Sequence, residues 1–106
     1  MIISFETHDL HECCCRIESA EEKFGSLHAQ ALATLIADAE AFESAAELID
    51  FLGADAIPNQ DDSLSVAIGS DYQAKFVAAG VRFARNDEGR VIWSSVQRLK
   101  LVEISP

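Results

Sequence analysis

Residues 64–76, LSVAIGSDYQAKF, carry the pattern that decides the fold. Apolar residues occupy every second position on both sides of the Gly-Ser-Asp sequence at 69–71, first Leu64, Val66 and Ile68, then Tyr72, Ala74 and Phe76. This alternation is typical of strands with one buried face, and two such runs around a short turn predict an antiparallel hairpin. We therefore expect two neighbouring strands of a half-buried sheet here, with helices before them and more sheet after them.

The residues before the hairpin predict a short strand followed by helices. Residues 1–6 fit an edge strand or a short paired strand, and apolar residues at helical spacing then run from an N-cap at Asp9 to Gly25. Ser19 with Glu22 is a second capping pattern inside this segment, so the alternative is a helix that kinks or restarts there. Ser44 with Glu47 forms a capping-box pattern for a short helix that ends at Gly53. Between them, a helix capped by Ser26 has an apolar stripe made of Leu27, Ala31, Leu35, Ala39 and Phe42, widened by Leu32 and Ile36.

The residues around and after the hairpin predict further strands. Residues 54–62 contain a proline and adjacent acids and predict a loop with at most a short strand near Ile57. A strand over 81–85, with a bulge at Gly80, is expected to turn at Asn86-Asp87-Glu88-Gly89 and return as a long strand over 90–104. The whole chain, 1–106, then forms one α+β domain, with an N-terminal strand and a helical hairpin packed on a curved, mainly antiparallel sheet of four or five strands.

The charge of the chain is divided unevenly. The net charge is −10, and 14 of the 18 acidic residues lie in residues 1–62, whereas six of the eight basic residues lie in 63–106. The molecule as a whole should repel nucleic acid and anionic membranes and attract a partner with basic side chains. We therefore expect no direct binding to DNA and no membrane association.

The N-terminal residues and the cysteines indicate a cytoplasmic protein. The first ten residues, MIISFETHDL, have no basic leader and no long apolar run, and three consecutive cysteines, Cys13 to Cys15, suit a reducing compartment. His8, His11 and Cys15 share one side of a predicted helix, but no fourth zinc ligand is evident, and nothing near the thiols would lower their pKa. The sequence therefore predicts no metal, no cofactor and no catalytic thiol, and it identifies no catalytic residue.

Basic residues on the predicted strands are the most informative polar set. Lys75, Arg82, Arg98 and Lys100 are the candidates for contact with RNA or with a partner protein, because strand alternation brings several cations to one face of a sheet. The alternative is that they are solvated charges that protect exposed strands from aggregation. Trp93 is expected in the core, and the acidic pair Asp61-Asp62 is expected to be solvated.

The order of elements and the motif S-V-x-I-G-S-D-Y-x-x-K-F within residues 65–76 resemble the RelE/ParE toxin superfamily, particularly its HigB-like branch from plasmid-maintenance modules. The resemblance spans nearly the whole chain. It implies a cytoplasmic toxin that inhibits growth and is held by a cognate antitoxin protein. Many members cleave ribosome-bound mRNA as mRNA interferases, with Lys, Arg, His or Tyr on the sheet, and ParE-like members act on gyrase.

The chain departs from that family pattern in two respects. HigB-like nucleases carry Tyr and His on the last strand, but residues 90–104 contain neither, and Tyr72 is the only tyrosine. The chain is also acidic where those toxins are basic. Lys and Arg stabilise charge better than they transfer protons at neutral pH, so the alternative to a nuclease is a catalytically inactive protein of the same fold. Such a protein would bind a partner protein or form a homodimer.

Overall fold

The computed structural model describes residues 1–106 and contains four α-helices and one five-stranded mixed sheet, which confirms the α+β prediction. The elements, in chain order, are β1 (Ile2–Phe5), α1 (His8–Cys15), α2 (Ile17–Phe24), α3 (Ser26–Ala41), α4 (Ala45–Leu52), β2 (Ala56–Pro58), β3 (Ser63–Ile68), β4 (Tyr72–Ala78) and β5 (Arg98–Ser105). Short 3-10 turns occupy Gly53–Asp55 and Trp93–Ser95. No helix has the length and apolar composition needed to cross a membrane.

The central hairpin forms as predicted. The strand order is β1-β5-β4-β3-β2, with β1 parallel to β5 at one edge and all other neighbours antiparallel. In the hairpin, Leu64 lies opposite Phe76 and Ile68 opposite Tyr72. Leu64 and Phe76 are fully buried, so the alternating apolar positions face the core. The register between β4 and β5 shifts at Lys75/Phe76, which places the bulge there and not at Gly80.

The helices pack on the face of the sheet that carries the buried side chains. Helix α3 contributes Leu32, Leu35, Ile36 and Ala39 to the core, as expected. Leu27, which was also expected in that stripe, is 80% exposed. The buried positions of α3 begin at Ala29, and Leu27 lies five residues before Leu32, about 140° around the helix at 100° per residue. The first turn of α3 therefore presents Leu27 to solvent.

The predicted first helix is two helices. Arg16 has extended backbone angles (φ −128°, ψ 112°) and separates α1 from α2. The N-cap of α1 is Thr7 and not Asp9, because the Thr7 hydroxyl accepts a hydrogen bond from the Leu10 amide at 3.2 Å. The predicted ends at Gly25 and Gly53 and the predicted cap at Ser44 are confirmed, whereas Ser26 is the first residue of α3 and Gly25 its cap. Each helix buries one residue, Cys13 in α1 and Ala20 in α2.

The predicted strand over 81–85 is wrong, and the predicted final strand over 90–104 is confirmed only from Arg98 onward. Residues 79–97 form a loop that contains one isolated bridge, Arg85 to Val91, and β5 begins only at Arg98. Ser95 explains part of the difference, because its hydroxyl accepts a hydrogen bond from the Ala84 amide at 2.8 Å and so replaces a strand partner. The predicted turn at 86–89 is confirmed by the hydrogen bond from the Gly89 amide to the Asn86 carbonyl, 2.9 Å.

Candidate functional site

The sheet has a face that the core does not use, here called the open face. It is formed by the strand residues that alternate with the buried ones, among them Ile2, Ser4, Ser65, Lys75, Val77, Arg98 and Lys100. Register places Ile2 beside Arg98, and it places Lys100 between Ser4 and Val77. Three of the four predicted contact residues, Lys75, Arg98 and Lys100, therefore share this face. The fourth, Arg82, lies in the loop 79–97 and not on a strand.

The two lysines of the open face are paired with acidic residues from the N-terminal half. The Lys75 ammonium lies 3.4 Å from the Asp61 carboxylate, and the Lys100 ammonium lies 3.1 Å from the Glu6 carboxylate. Hydrogen bonds from the Ser63 hydroxyl and amide lower the pKa of Asp61, and Lys75 lowers it further. Both pairs are partly exposed, and exposed ion pairs are weak. The lysines are thus neutralised in the free protein but can exchange partners.

The two arginines, by contrast, have no ion pair. Arg82 and Arg98 line a pocket of about 310 Å³, the arginine pocket, together with Val81, Phe83 and Gln97. Val81 is 95% exposed, so a large aliphatic side chain stands in solvent beside two unpaired guanidinium groups. Guanidinium groups bind carboxylates and phosphates with two parallel hydrogen bonds. The pocket can therefore bind an anionic group next to an apolar one.

Asp62 fixes the loop that carries Arg82. Its carboxylate accepts hydrogen bonds from Arg85 Nη1 at 3.1 Å, Arg90 Nε at 3.1 Å and the Val91 amide at 3.2 Å. These contacts hold the pKa of Asp62 below its usual value, with the Val91 amide as the largest cause. Asp62 also adopts a left-handed backbone conformation (φ 64°), which is uncommon for a residue other than glycine.

The expectation that Asp61 and Asp62 are solvated is confirmed for Asp61, whose side chain is 60% exposed, but it is wrong for Asp62, whose side chain is 24% exposed. Both carboxylates accept hydrogen bonds, Asp61 from Ser63 and Asp62 from the distant arginines. The hydrogen bonds between Asp61 and Ser63 could be predicted from the sequence, since an acidic residue two positions before a serine often forms such local hydrogen bonds. The hydrogen bonds of Asp62 could not be predicted, because its partners Arg85 and Arg90 follow it by 23 and 28 positions and lie in a loop without regular structure.

Side chains that transfer protons are placed away from the open face. Tyr72 packs among the helices, with its ring 5.0 Å from both Phe24 and His28. His8 and His11 lie on α1, where His11 packs against the Phe5 ring. The open face therefore presents cations, hydroxyls, aliphatic groups, the Gln73 amide and the Glu103 carboxylate opposite Lys75, but no imidazole or phenol.

The cysteines and histidines of α1 form no metal centre. No group of three or more His, Cys, Asp or Glu side chains is arranged to hold a metal ion, and His8 instead lies 3.5 Å from Glu12. Burial raises the pKa of Cys14 to about 12, and the neighbouring thiols Cys13 and Cys15 add to the shift. A thiol with that pKa is almost entirely protonated at neutral pH, so Cys14 is a packing residue. Trp93, which was expected in the core, is partly buried and packs against it.

Comparison with known proteins gives this chain no relative. No protein-family model, no curated protein and no solved structure matches it. The features of this chain that bear on its function are therefore the open face, the arginine pocket and the order of the elements.

Proposed function

We propose that this protein is the toxin component of a cytoplasmic toxin–antitoxin module of RelE/ParE type, and that it binds its antitoxin or its target through the open face and the arginine pocket. One observation carries the proposal. Arg82 and Arg98 are unpaired and lie beside exposed aliphatic side chains, although the chain has a net charge of −10 and its other sheet-half cations, Lys75, Arg85, Arg90 and Lys100, are all in ion pairs. Unpaired guanidinium groups next to apolar surface are typical of the centre of a protein interface.

Growth inhibition and partner binding test this proposal in one set of strains. Induced expression of the chain alone should arrest growth, and co-expression of a short neighbouring reading frame with a helix-turn-helix should restore it. The double variant Arg82→Ala/Arg98→Ala should abolish arrest. Arg16→Ala/Lys23→Ala is the matched control, because it removes two exposed cations from the helical half and changes the net charge by the same amount. Absence of arrest by the unaltered chain, or equal loss in both double variants, would contradict the proposal.

A second function, inhibition by binding without RNA cleavage, is favoured by the composition of the open face. General acid–base catalysis most often uses histidine, and the open face carries no histidine or tyrosine; the one acidic residue of its strands is Glu103. The chain would then be a catalytically inactive protein of RelE/ParE type that acts as a protein-interaction module. Incubation of purified protein with translating ribosomes, followed by mapping of mRNA ends, separates the two functions. Cleavage that disappears in Arg82→Ala/Arg98→Ala would establish the endoribonuclease, whereas growth arrest with intact mRNA would establish the binding mechanism.

RNA binding by the isolated chain should be weak. Two unpaired arginines supply about two phosphate contacts, which predicts a log–log salt dependence with a slope of about −1.4 to −1.8. The acidic helical half repels the same phosphates over a Debye length of about 8 Å. A steep slope together with submicromolar affinity near physiological salt would instead favour a nucleic-acid target.

A further inference from the structure

A second surface, chemically opposite to the arginine pocket, lies between α3 and the turn of the β3–β4 hairpin. One wall is the side of α3 from Leu27 to Asp38, and the opposite wall is formed by Asp55 and the turn residues 69–71. Leu35 and Val66 form the floor, and the groove has a volume of about 510 Å³. We call this surface the acidic groove. Its volume is within the range of sites that bind ligands.

The groove has an apolar floor and an acidic rim. Asp38, Asp55 and Asp71 line it, and no lysine or arginine does. Asp38 and Asp55 have no ion-pair partner, whereas Asp71 lies 3.4 Å from His28 Nε2. Leu27, the residue that was wrongly expected in the core, stands at one end of the groove and is 80% exposed. An occupant must therefore bring apolar side chains for the floor and positive charges for the rim.

We propose that the acidic groove binds a short amphipathic helix of a partner protein, with lysine or arginine flanking a row of aliphatic residues. The charge complementarity selects this occupant, because two carboxylates without ion pairs, Asp38 and Asp55, line a groove that has an apolar floor and no lysine or arginine. The length also fits. Leu27 to Asp38 spans twelve residues of α3, about 16 Å from first to last, and a helix laid alongside it would contact the wall over three turns.

This binding site does not depend on the proposed function. The groove adjoins the start of β4, and the arginine pocket adjoins its end, so the seven residues of β4 separate them by about 20 Å. Two Debye lengths at physiological salt are about 16 Å, so the two surfaces bind their ligands with little electrostatic interference. Variants of one surface can be compared with variants of the other in the same assay.

The test is a titration of the full chain with a synthetic peptide. The probe is a side-chain-stapled helix of about twelve residues with leucine at every third or fourth position and lysine elsewhere, since an unstapled helix of this length is marginal in water. Two control peptides replace either the lysines by glutamate or the leucines by serine. Backbone amide chemical shifts locate the bound peptide, and fluorescence anisotropy gives its affinity.

Charge-matched variants make the test specific. Asp38→Asn/Asp55→Asn should weaken binding of the basic peptide about five- to thirtyfold, the effect expected for the loss of two ion pairs at a partly exposed rim. Glu18→Gln/Glu21→Gln removes two exposed carboxylates from α2 and should change the affinity less than twofold. Leu27→Ser should weaken binding, whereas Val81→Ser, at the distant arginine pocket, should not.

The expected result is saturable binding of the basic peptide alone, with shift changes at residues 27–38 and 66–71. The proposal is overturned if the peptide shows no saturation by about 1 mM, or if the two charge variants weaken binding equally. It is also overturned if the serine-containing peptide binds as tightly as the leucine-containing one, because the floor then contributes nothing. Without peptide, chemical-shift changes at the groove that depend on protein concentration would identify a second copy of this chain as the occupant. That result would also refute the proposal.

Discussion

Two leucines of α3 provide a direct test of how this helix is rotated against the sheet. Leu32→Ala and Leu27→Ala delete the same three carbon atoms, but Leu32 is 0% exposed and Leu27 is 80% exposed. At about 0.8 kcal/mol per buried carbon, loss of the Leu32 side chain costs roughly 2.4 kcal/mol, and the cavity left behind raises this to about 3 to 4 kcal/mol. Leu27 buries about a fifth of its surface, so its loss costs about 0.5 kcal/mol, partly offset by the higher helix propensity of alanine.

Equilibrium urea unfolding followed by circular dichroism measures both values. With a slope of about 1.5 kcal/mol per molar urea, Leu32→Ala should lower the unfolding midpoint by about 2 M and Leu27→Ala by less than about 0.4 M. Leu35→Ala, at a position that is 5% exposed, should cost about 2 to 5 kcal/mol and serves as a second buried site. Equal losses at Leu27 and Leu32 would mean that α3 is rotated by more than a quarter turn from the orientation described above, and the acidic groove would then lose its exposed leucine.

Three further predictions concern the hairpin turn, the thiols and the loop 79–97. Gly69→Ala should destabilise the protein by about 1 to 2 kcal/mol in thermal or urea unfolding, because Gly69 has φ 60° and a Cβ there would lie 2.9 Å from the His28 ring. Iodoacetamide at pH 8 should modify exposed Cys15 well before Cys14, whose pKa burial raises to about 12, and mass spectrometry of the digested protein would show the order. The pKa of Asp62 is lowered in the folded protein, so its contribution to stability is complete above its unfolded pKa of about 3.9 and is lost as the pH falls through the lower folded value. The difference in unfolding midpoint between the unaltered chain and Asp62→Asn should therefore be present at pH 6 and shrink as the pH is lowered below about 3.9, and a difference that did not change over that range would contradict this assignment.

The local patterns of the chain were enough to predict most of the N-terminal half and the hairpin. The alternation at 64–76, the capping residues around Ser44 and the glycines at 25 and 53 act over a few residues, and the structure forms the corresponding elements. The rotation of α3 could not be predicted in the same way. Two overlapping apolar stripes fit its sequence, and the packing of Ala29 and Leu32 decides between them.

Residues 79–97 show why the candidate site was predicted only in part. Their apolar residues alternate as in a strand. However, the Ser95 hydroxyl accepts a hydrogen bond from the Ala84 amide and the Asp62 carboxylate accepts one from the Val91 amide, so these amides do not bind a neighbouring strand. Both are side-chain contacts across 11 and 29 residues, so they depend on the completed fold. Placement of Arg82 in a loop, and its position beside Arg98, follow from those contacts.

The ion pairs of the sheet explain how an acidic chain keeps one small basic surface. Residues 1–62 supply Glu6, Asp61 and Asp62, and these three carboxylates form ion pairs with four of the six cations of residues 63–106, Asp62 being shared by Arg85 and Arg90. The two cations without an ion pair, Arg82 and Arg98, lie together at the end of β4 in the arginine pocket. The unpaired carboxylates Asp38 and Asp55 lie at the other end of the same strand, in the acidic groove. A net charge of −10 therefore does not define a single class of partner, because the fold separates an acidic surface from a basic one by the length of β4.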